Sequence, residues 1–477
     1  MKTLNRRGFL KHAAVLSTGA VLAAACATAP PSAPTQPSAP AEPSTATLAP
    51  APTSPPPTAT PEPAPTSPPP VAEPAKIRWA YWANEALGKI YDKSVDLFST
   101  QNPDIKVEKL YIEGGTGPWT EKILAMIAAN DVPDVLLTTP DHLASFGGPG
   151  LLVDLKPFMD SAKLDTADFF EAGLTGGQRQ AKQVGLPVGV FVSPLYYNKK
   201  HLAEVELQAP TKPDWTWDDL VAMAHKLTRQ VEGQQRWGFH ISTWFDLLIA
   251  PRVWANGGEV LSSDESICLL DQPKAIEAVQ WWFDLRNKEQ VAPDPTQMQS
   301  IKELGAFYFA FQAQMVSMGT EGTWCPAGFN TTPGLDWDMQ VWPIPKGGKQ
   351  AGVLGQDSIS VTTRSPKPEA AWAFANFMAG KEAQQLRSEG GFWCPVRKSV
   401  AQDPKAQAGL GAGKNYQGVF LELDTARPIC SNALRWIEVG ELLSPAMDLV
   451  FAGQKAADVL PGVVKQINDK LSKPPPA

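Results

Sequence analysis

Between Lys76 and Thr138 the hydrophobic pattern switches repeatedly between a period of two and a period near 3.6, and this alternation constrains the fold more than any other feature. "KIRWAYW" reads as a strand, "EALGKIYDKSVDLFSTQNP" sets Leu87, Ile90, Tyr91, Val95 and Phe98 on one helix face, and "IKVEKLYI" reads as a second strand. "TEKILAMIAAN" is then a helix and "DVLLT" a short buried strand. A β-α-β-α-β run packs as a parallel sheet covered by helices. Ligands of such sheets bind beyond the carboxyl ends of the strands, so Trp82 and Asn84 after the first strand, and Thr138, Thr139 and Asp141 at the third, are candidate site residues.

A second set of units follows. "GLPVGVFVSPLYYNKKHL" is a strand-like crossing, and "PDWTWDDLVAMAHKL" starts a helix in which Thr216 and Asp219 have the spacing of a capping box. "PKAIEAVQWWFDLRNK" and "SIKELGAFYFAFQAQ" read as helices, "MVSMGT" and "DMQVWPIP" as strands, "PEAAWAFANFMAG" and "AQQLRSE" as helices, and a last helical pair runs to Leu471. The expectation is an α/β protein of two lobes.

The beginning of the chain belongs to neither. Residues 1–26 carry a basic front (Lys2, Arg6, Arg7, Lys11), an apolar stretch from Ala13 to Ala25 and small residues before Cys26, the pattern of an export signal. "RRGFLK" resembles a twin-arginine signal with Asn5 in the usual Ser/Thr place, and "AAAC" a lipoprotein cleavage site that makes Cys26 the acylated first residue; an ordinary A-x-A cut is the alternative. From 27 to 75 about every third residue is proline and "APTSPPP" occurs twice, so this stretch packs no core and reads as an extended spacer of roughly 100 Å or more.

With 42 Lys and Arg against 49 Asp and Glu the chain has a net charge of -7, which argues against nucleic acid as a partner. No segment is long and apolar enough to read as a membrane span, so membrane contact rests on Cys26. Phosphate-loop, zinc-protease, nucleophile-elbow and C-x-x-C motifs are missing, and the five histidines are scattered, so no metal, cofactor or catalytic triad is expected. Four cysteines follow Cys26: Cys268, Cys325, Cys394 and Cys430. Outside the cytoplasm they allow two disulfides in any of three pairings, or one bridge with two thiols. Cys325 and Cys394 stand in two similar stretches, "GTEGTWCPAG" and "GGFWCPVR".

The order of segments resembles extracellular solute-binding protein family 1, the sugar-binding class, from about Lys76 to Leu471. The residues that carry the resemblance are "NPDIKV", "DVLLTTPDHLASF", "GLLVDL", "GLPVGVFVSPLYYNKKHL", "WTWDDL", "ANGGEV", "MVSMGTEGTW", "SPKPEAAWAFANFM" and "GFWCPVRKSV". The resemblance implies a two-lobed periplasmic-binding-protein fold, type II-like, each lobe a sheet flanked by helices with a cleft between. Lobe 1 would take residues 76–191 and 358–404, and lobe 2 residues 192–357 and 405–477.

By the same resemblance Asp141 is a carboxylate of the first lobe, Trp324 of "TEGTW" an aromatic platform of the second, and Trp436 another aromatic wall. Trp82, Asn84, Trp244, Phe245, Glu321, Gln356 and Trp393 are placed in the cleft by neighbourhood. Tryptophan faces with Asp, Glu, Asn and Gln suit a sugar, whose C–H faces stack and whose hydroxyls need fixed partners. The implied function is an exported, membrane-anchored monomer that closes on a mono- or oligosaccharide and delivers it to the permease subunits of an ABC importer, with no enzymatic activity. The alternative from another class is a secreted carbohydrate hydrolase, which needs only two carboxylates. The helical Trp281 and Trp282, and Trp215 and Trp217 around a helix start, read as scaffold.

Overall fold

The computed structural model describes residues 74–113, 115–210, 215–411, 413–428 and 435–473. The expected export signal with Cys26, the spacer as far as residue 73, and Cys430 lie outside these residues.

The opening alternation becomes β1 (Ala75–Tyr81), α1 (Glu85–Gln101), β2 (Ile105–Tyr111), α2 (Thr116–Ala128) and β3 (Val135–Thr138), with β1 paired in parallel to both other strands. A third helix, α3 (Pro140–Gly147), begins directly after β3. In α1 the buried face is Leu87, Tyr91, Ser94, Val95 and Phe98, with Ile90 only half-buried. Ser94 is tolerated there because its hydroxyl donates to the Ile90 carbonyl at 2.9 Å.

The crossing segment divides into β4 (Leu186–Phe191) and β5 (Leu195–Asn198), which belong to different sheets. Between them Ser193 is fixed from several sides: its carbonyl accepts from Trp342 Nε1 at 2.6 Å and from Thr320 Oγ1 at 2.9 Å, and its N–H donates to Glu422 Oε1 at 3.2 Å. The chain therefore passes between the sheets through a buried, hydrogen-bonded step. Then come α4 (Trp217–Leu227), β6 (Arg229–Val231), β7 (Gln234–Phe239) and α5 (Pro273–Asn287). Thr216 and Asp219 form the expected capping box on α4, and Trp217 stacks on Trp281 with ring centroids 3.8 Å apart.

One expected helix is broken. "SIKELGAFYFAFQAQ" forms a short 3-10 turn and then α6 (Phe307–Gln312), because Ala306 between them is extended at φ -139°, ψ 145°. Gly305 disfavours continuation, and the new helix start gains a donor site used below. β8 (Val316–Thr320), β9 (Trp337–Gln340) and β10 (Gly355–Val361) follow. After them come the helices α7 (Pro368–Met378), α8 (Lys381–Glu389), α9 (Trp436–Phe451) and α10 (Ala456–Leu471).

The first sheet has the order β2-β1-β3-β10-β4 and the second β9-β5-β8-β7-β6. β10 runs antiparallel to both β3 and β4, so a late strand fills the middle of a sheet otherwise built from the beginning of the chain. It starts at Gly355, ahead of the return expected at 358. Each sheet is covered by helices, the two-lobed α/β arrangement that the resemblance implied.

Cys268, Cys325 and Cys394 are buried free thiols, so no bridge forms among them. Cys325 and Cys394 share one apolar cluster, and the Cys394 thiol lies 3.9 Å from Thr323 Oγ1.

Candidate functional site

The carboxyl ends of the parallel strands converge on a cavity of about 450 Å³. From the first sheet come Trp82 and Asn84 after β1, Thr139 and Asp141 after β3, Phe191 at the end of β4, and Asp357 in β10. From the second come Trp244 and Asp246 beyond β7, and Glu321 and Trp324 beyond β8. Phe392 and Trp393 close a further side.

Each wall group has a local cause. Asn84 caps α1, its side-chain oxygen accepting from Leu87 N at 2.9 Å. Asp141 lies in the first turn of α3, where Thr139 Oγ1 donates to it. Glu321 accepts from Tyr308 N at 3.1 Å, which caps α6 and explains why that helix restarts at Phe307. Trp393 has φ +51°, a strained backbone for a bulky residue. The strain is held by its neighbour: Cys394 exchanges two backbone hydrogen bonds with Val190 of β4, at 3.0 and 2.9 Å.

Trp324 is the central ring. It meets Phe191 edge-on at 5.0 Å and lies 5.9 Å from Trp244, itself 46% exposed. Gly322 makes room for it, since a Cβ there would fall 2.0 Å from the indole. Gly322→Ala is accordingly expected to push the Trp324 ring off its seat, weakening any stacked ligand at least about tenfold. The melting temperature should fall somewhat as well, because the displaced ring gives up its packing against the apolar clusters around it; calorimetric titration beside a thermal melt checks both.

Four carboxylates face this space: Asp141, Asp246, Glu321 and Asp357. Burial pushes Asp246 up to about 7, opposed by the Trp436 hydrogen bond and reinforced by the Asp141 charge. Burial also raises Glu321 to about 7, against the Tyr308 and Trp324 hydrogen bonds. Asp357 is raised furthest, to about 8, by burial and then by Asp141, with Arg387 opposing. A lining this acidic has no lysine, arginine or histidine among the described residues.

Of the twelve side chains singled out from the sequence, the structure brings eight to the cavity wall: Trp82, Asn84, Thr139, Asp141, Trp244, Glu321, Trp324 and Trp393. It does not bring Thr138, Phe245, Gln356 or Trp436 there, and the reasons are geometric. Thr138 is buried within the sheet, its hydroxyl donating to the Ser358 carbonyl at 3.2 Å. Phe245 turns into the second lobe's core at the start of a π-helical turn, Phe245–Ile249. Gln356 alternates with Asp357 along β10, so its amide points away and donates to Ser358 Oγ at 2.8 Å. Trp436 is buried behind the wall, its Nε1 donating to Asp246 Oδ2 at 3.2 Å. Sequence reasoning missed Phe191, Asp246, Asp357 and Phe392. Strand alternation and the acid beside "WF" were the available signals.

Residues 82–385 match the family model of the bacterial extracellular solute-binding proteins. The chain belongs to that family. Among relatives of this solute-binding protein is a binding protein of Brucella abortus, 21% identical over 387 residues, 78% of this chain and 87% of its own. Among solved structures, an ABC substrate-binding protein of Listeria monocytogenes in complex with cycloalternan matches with TM-score 0.75 and 24% identity. That match covers 84% of this chain and 100% of the other. Maltose-bound MalE3 of T. maritima matches with TM-score 0.70 and 22% identity, over 83% and 99% of the two chains. In this family member no helix of the described residues is long and apolar enough to cross a membrane, and none of those residues form a group of three or more His, Cys, Asp or Glu placed to hold a metal ion.

Proposed function

We propose that this solute-binding protein is an extracytoplasmic receptor that captures a carbohydrate in the cavity and presents it to the permease subunits of an ABC importer. The observation that carries the reading is the wall itself: aromatic rings alternating with fixed carboxylates around about 450 Å³, within the range of roughly 300–1,000 Å³ usual for small-ligand sites. Trp82, Trp244, Trp324 and Trp393 offer apolar faces to a pyranose, and Asn84, Asp141, Asp246, Glu321 and Asp357 offer partners to its hydroxyls. Phe245, Gln356 and Trp436 act behind them as support. The bound cycloalternan and maltose of the structurally similar proteins favour the same class of ligand.

The two lobes, expected as 76–191 with 358–404 and 192–357 with 405–477 but with Gly355–Asp357 carried in the first lobe's sheet, close over the sugar, and the closed surface is what the permease recognises. No bond is made or broken. The protein acts as a monomer, exported by residues 1–26 and held to the membrane through a lipid on Cys26, with residues 27–75 as its tether. Calorimetric titration of the purified mature protein with a panel of neutral, amino and phosphorylated sugars is expected to show saturable binding by at least one of them, with every sugar recovered intact. Silence across the panel overturns the receptor reading, and accumulating hydrolysis products would replace it with a glycosidase. Mass spectrometry of the mature N-terminus tests Cys26.

A further inference from the structure

We propose that the carbohydrate carries a protonated amine: the preferred ligand is an amino sugar or an oligosaccharide containing one. The inference rests on the carbohydrate reading and narrows it.

Its basis is an unbalanced site. Four carboxylates line one cavity, and no basic side chain of the described residues lines it with them. Three of the four are occupied within the protein. Asp141 accepts from Thr139 Oγ1, Asp246 from Trp436 Nε1 at 3.2 Å, and Glu321 from Tyr308 N at 3.1 Å. Asp357 is different. It is 3% exposed, opens on the cavity, and its carboxylate receives no hydrogen bond from the described residues. The nearby Arg387 acts on it through its charge alone: the guanidinium donates to the carbonyls of Val188 and Met378 and forms no ion pair with Asp357. With no donor among the described residues, the Asp357 oxygens are left to water or to a ligand that enters the cavity.

A neutral sugar's hydroxyls would hydrogen-bond this carboxyl but bring no positive charge with which it could ionise. An ammonium on the ring supplies three N–H donors and the missing positive charge together. The surrounding rings of Trp82, Phe191, Trp244, Trp324, Phe392 and Trp393 also attract a cation through their π faces. Burial, reinforced by the Asp141 charge, holds protons on Asp246 and Asp357 near neutrality, and an ammonium takes the place of those protons. The same charge pattern rejects sugar phosphates.

The test titrates the full mature protein at neutral pH with matched pairs differing only at one carbon: glucose with glucosamine, galactose with galactosamine, and cellobiose with the glucosamine disaccharide of the same linkage. In the best-binding pair the amine is expected to bind at least tenfold tighter, and glucose 6-phosphate not at all. Asp357→Asn, which keeps shape and removes charge, should shrink that advantage at least fivefold while moving the neutral partner less. A neutral member that binds as well as its amine overturns this inference and leaves the receptor reading standing. An amine advantage unchanged in Asp357→Asn overturns it as well. Spermidine binding as tightly as the amino sugars shows that the sugar ring is not recognised, and overturns it. No binding by any sugar overturns both readings.

Discussion

Replacing Arg387 by methionine is expected to lower the unfolding free energy by about 3 kcal/mol. The guanidinium is buried inside the first lobe and serves two carbonyls: Nε and Nη2 donate to Val188 O at 3.2 and 2.8 Å, and Nη2 to Met378 O at 2.7 Å. Met378 is the last residue of α7, where carbonyls have no partner within the helix, and Val188 lies in β4. Methionine fills the space of the stem but leaves two dry acceptors, each worth about 1–3 kcal/mol when unpaired. Relief from burying an unpaired cation works the other way, which is why the expected cost stays in the lower half of that sum. Lysine, with one compact donor group, should recover part of it. Urea unfolding followed by circular dichroism checks the series, and a methionine variant within about 0.5 kcal/mol of the parent would mean that water already satisfies those carbonyls. The same substitution removes the cation that opposes the upward shift of Asp357, so the site should become harder to ionise.

Trp324→Ala is expected to weaken ligand binding by about 1–3 kcal/mol, or roughly ten- to a hundredfold. Its ring is the piece shared by everything around it: it packs against all three apolar clusters of the protein and against the rings of Phe191 and Trp244. Some stability is lost with it, so affinity must be read on protein shown to be folded at the temperature of titration. Phenylalanine should restore a smaller platform and part of the affinity. Equal binding by alanine and tryptophan would remove Trp324 from the site, whatever Gly322→Ala does.

Much of this was legible before any coordinates. The switching hydrophobic period fixed the β-α-β-α-β unit to within a few residues, because burial on one face leaves a period that sequence displays directly. The capping box at Thr216 was equally plain, being a local pattern. What failed was one-residue resolution inside elements. Gln356 and Asp357 are neighbours on a strand, so choosing one over the other chooses a face of the sheet, and nothing local marks which face meets the cavity. In "WFDL" the aromatic pair drew attention, yet the π-helical turn buries Phe245 and presents Asp246 beside Trp244. Trp436 shows a third kind of error: a tryptophan positioned near a site acts through its N–H on the acid that lines it. The two similar Trp-Cys-Pro stretches supply two separate segments of the cavity wall. Their indoles line the cavity while their sulfurs are buried as free thiols in one cluster.

The placement of β10 has a consequence for how the molecule comes into being. Its partners β3 and β4 are complete by residue 191, yet neither can pair on that side until Gly355–Val361 has been made. A growing chain therefore holds two open strand edges through the synthesis of most of the second lobe, and the sheet that begins first waits for a strand made far later. Such distant pairing is slow, and unpaired edges invite association with other chains. Any truncation ahead of residue 361 leaves a split sheet, so the smallest autonomous folding unit containing β1 must run past that point.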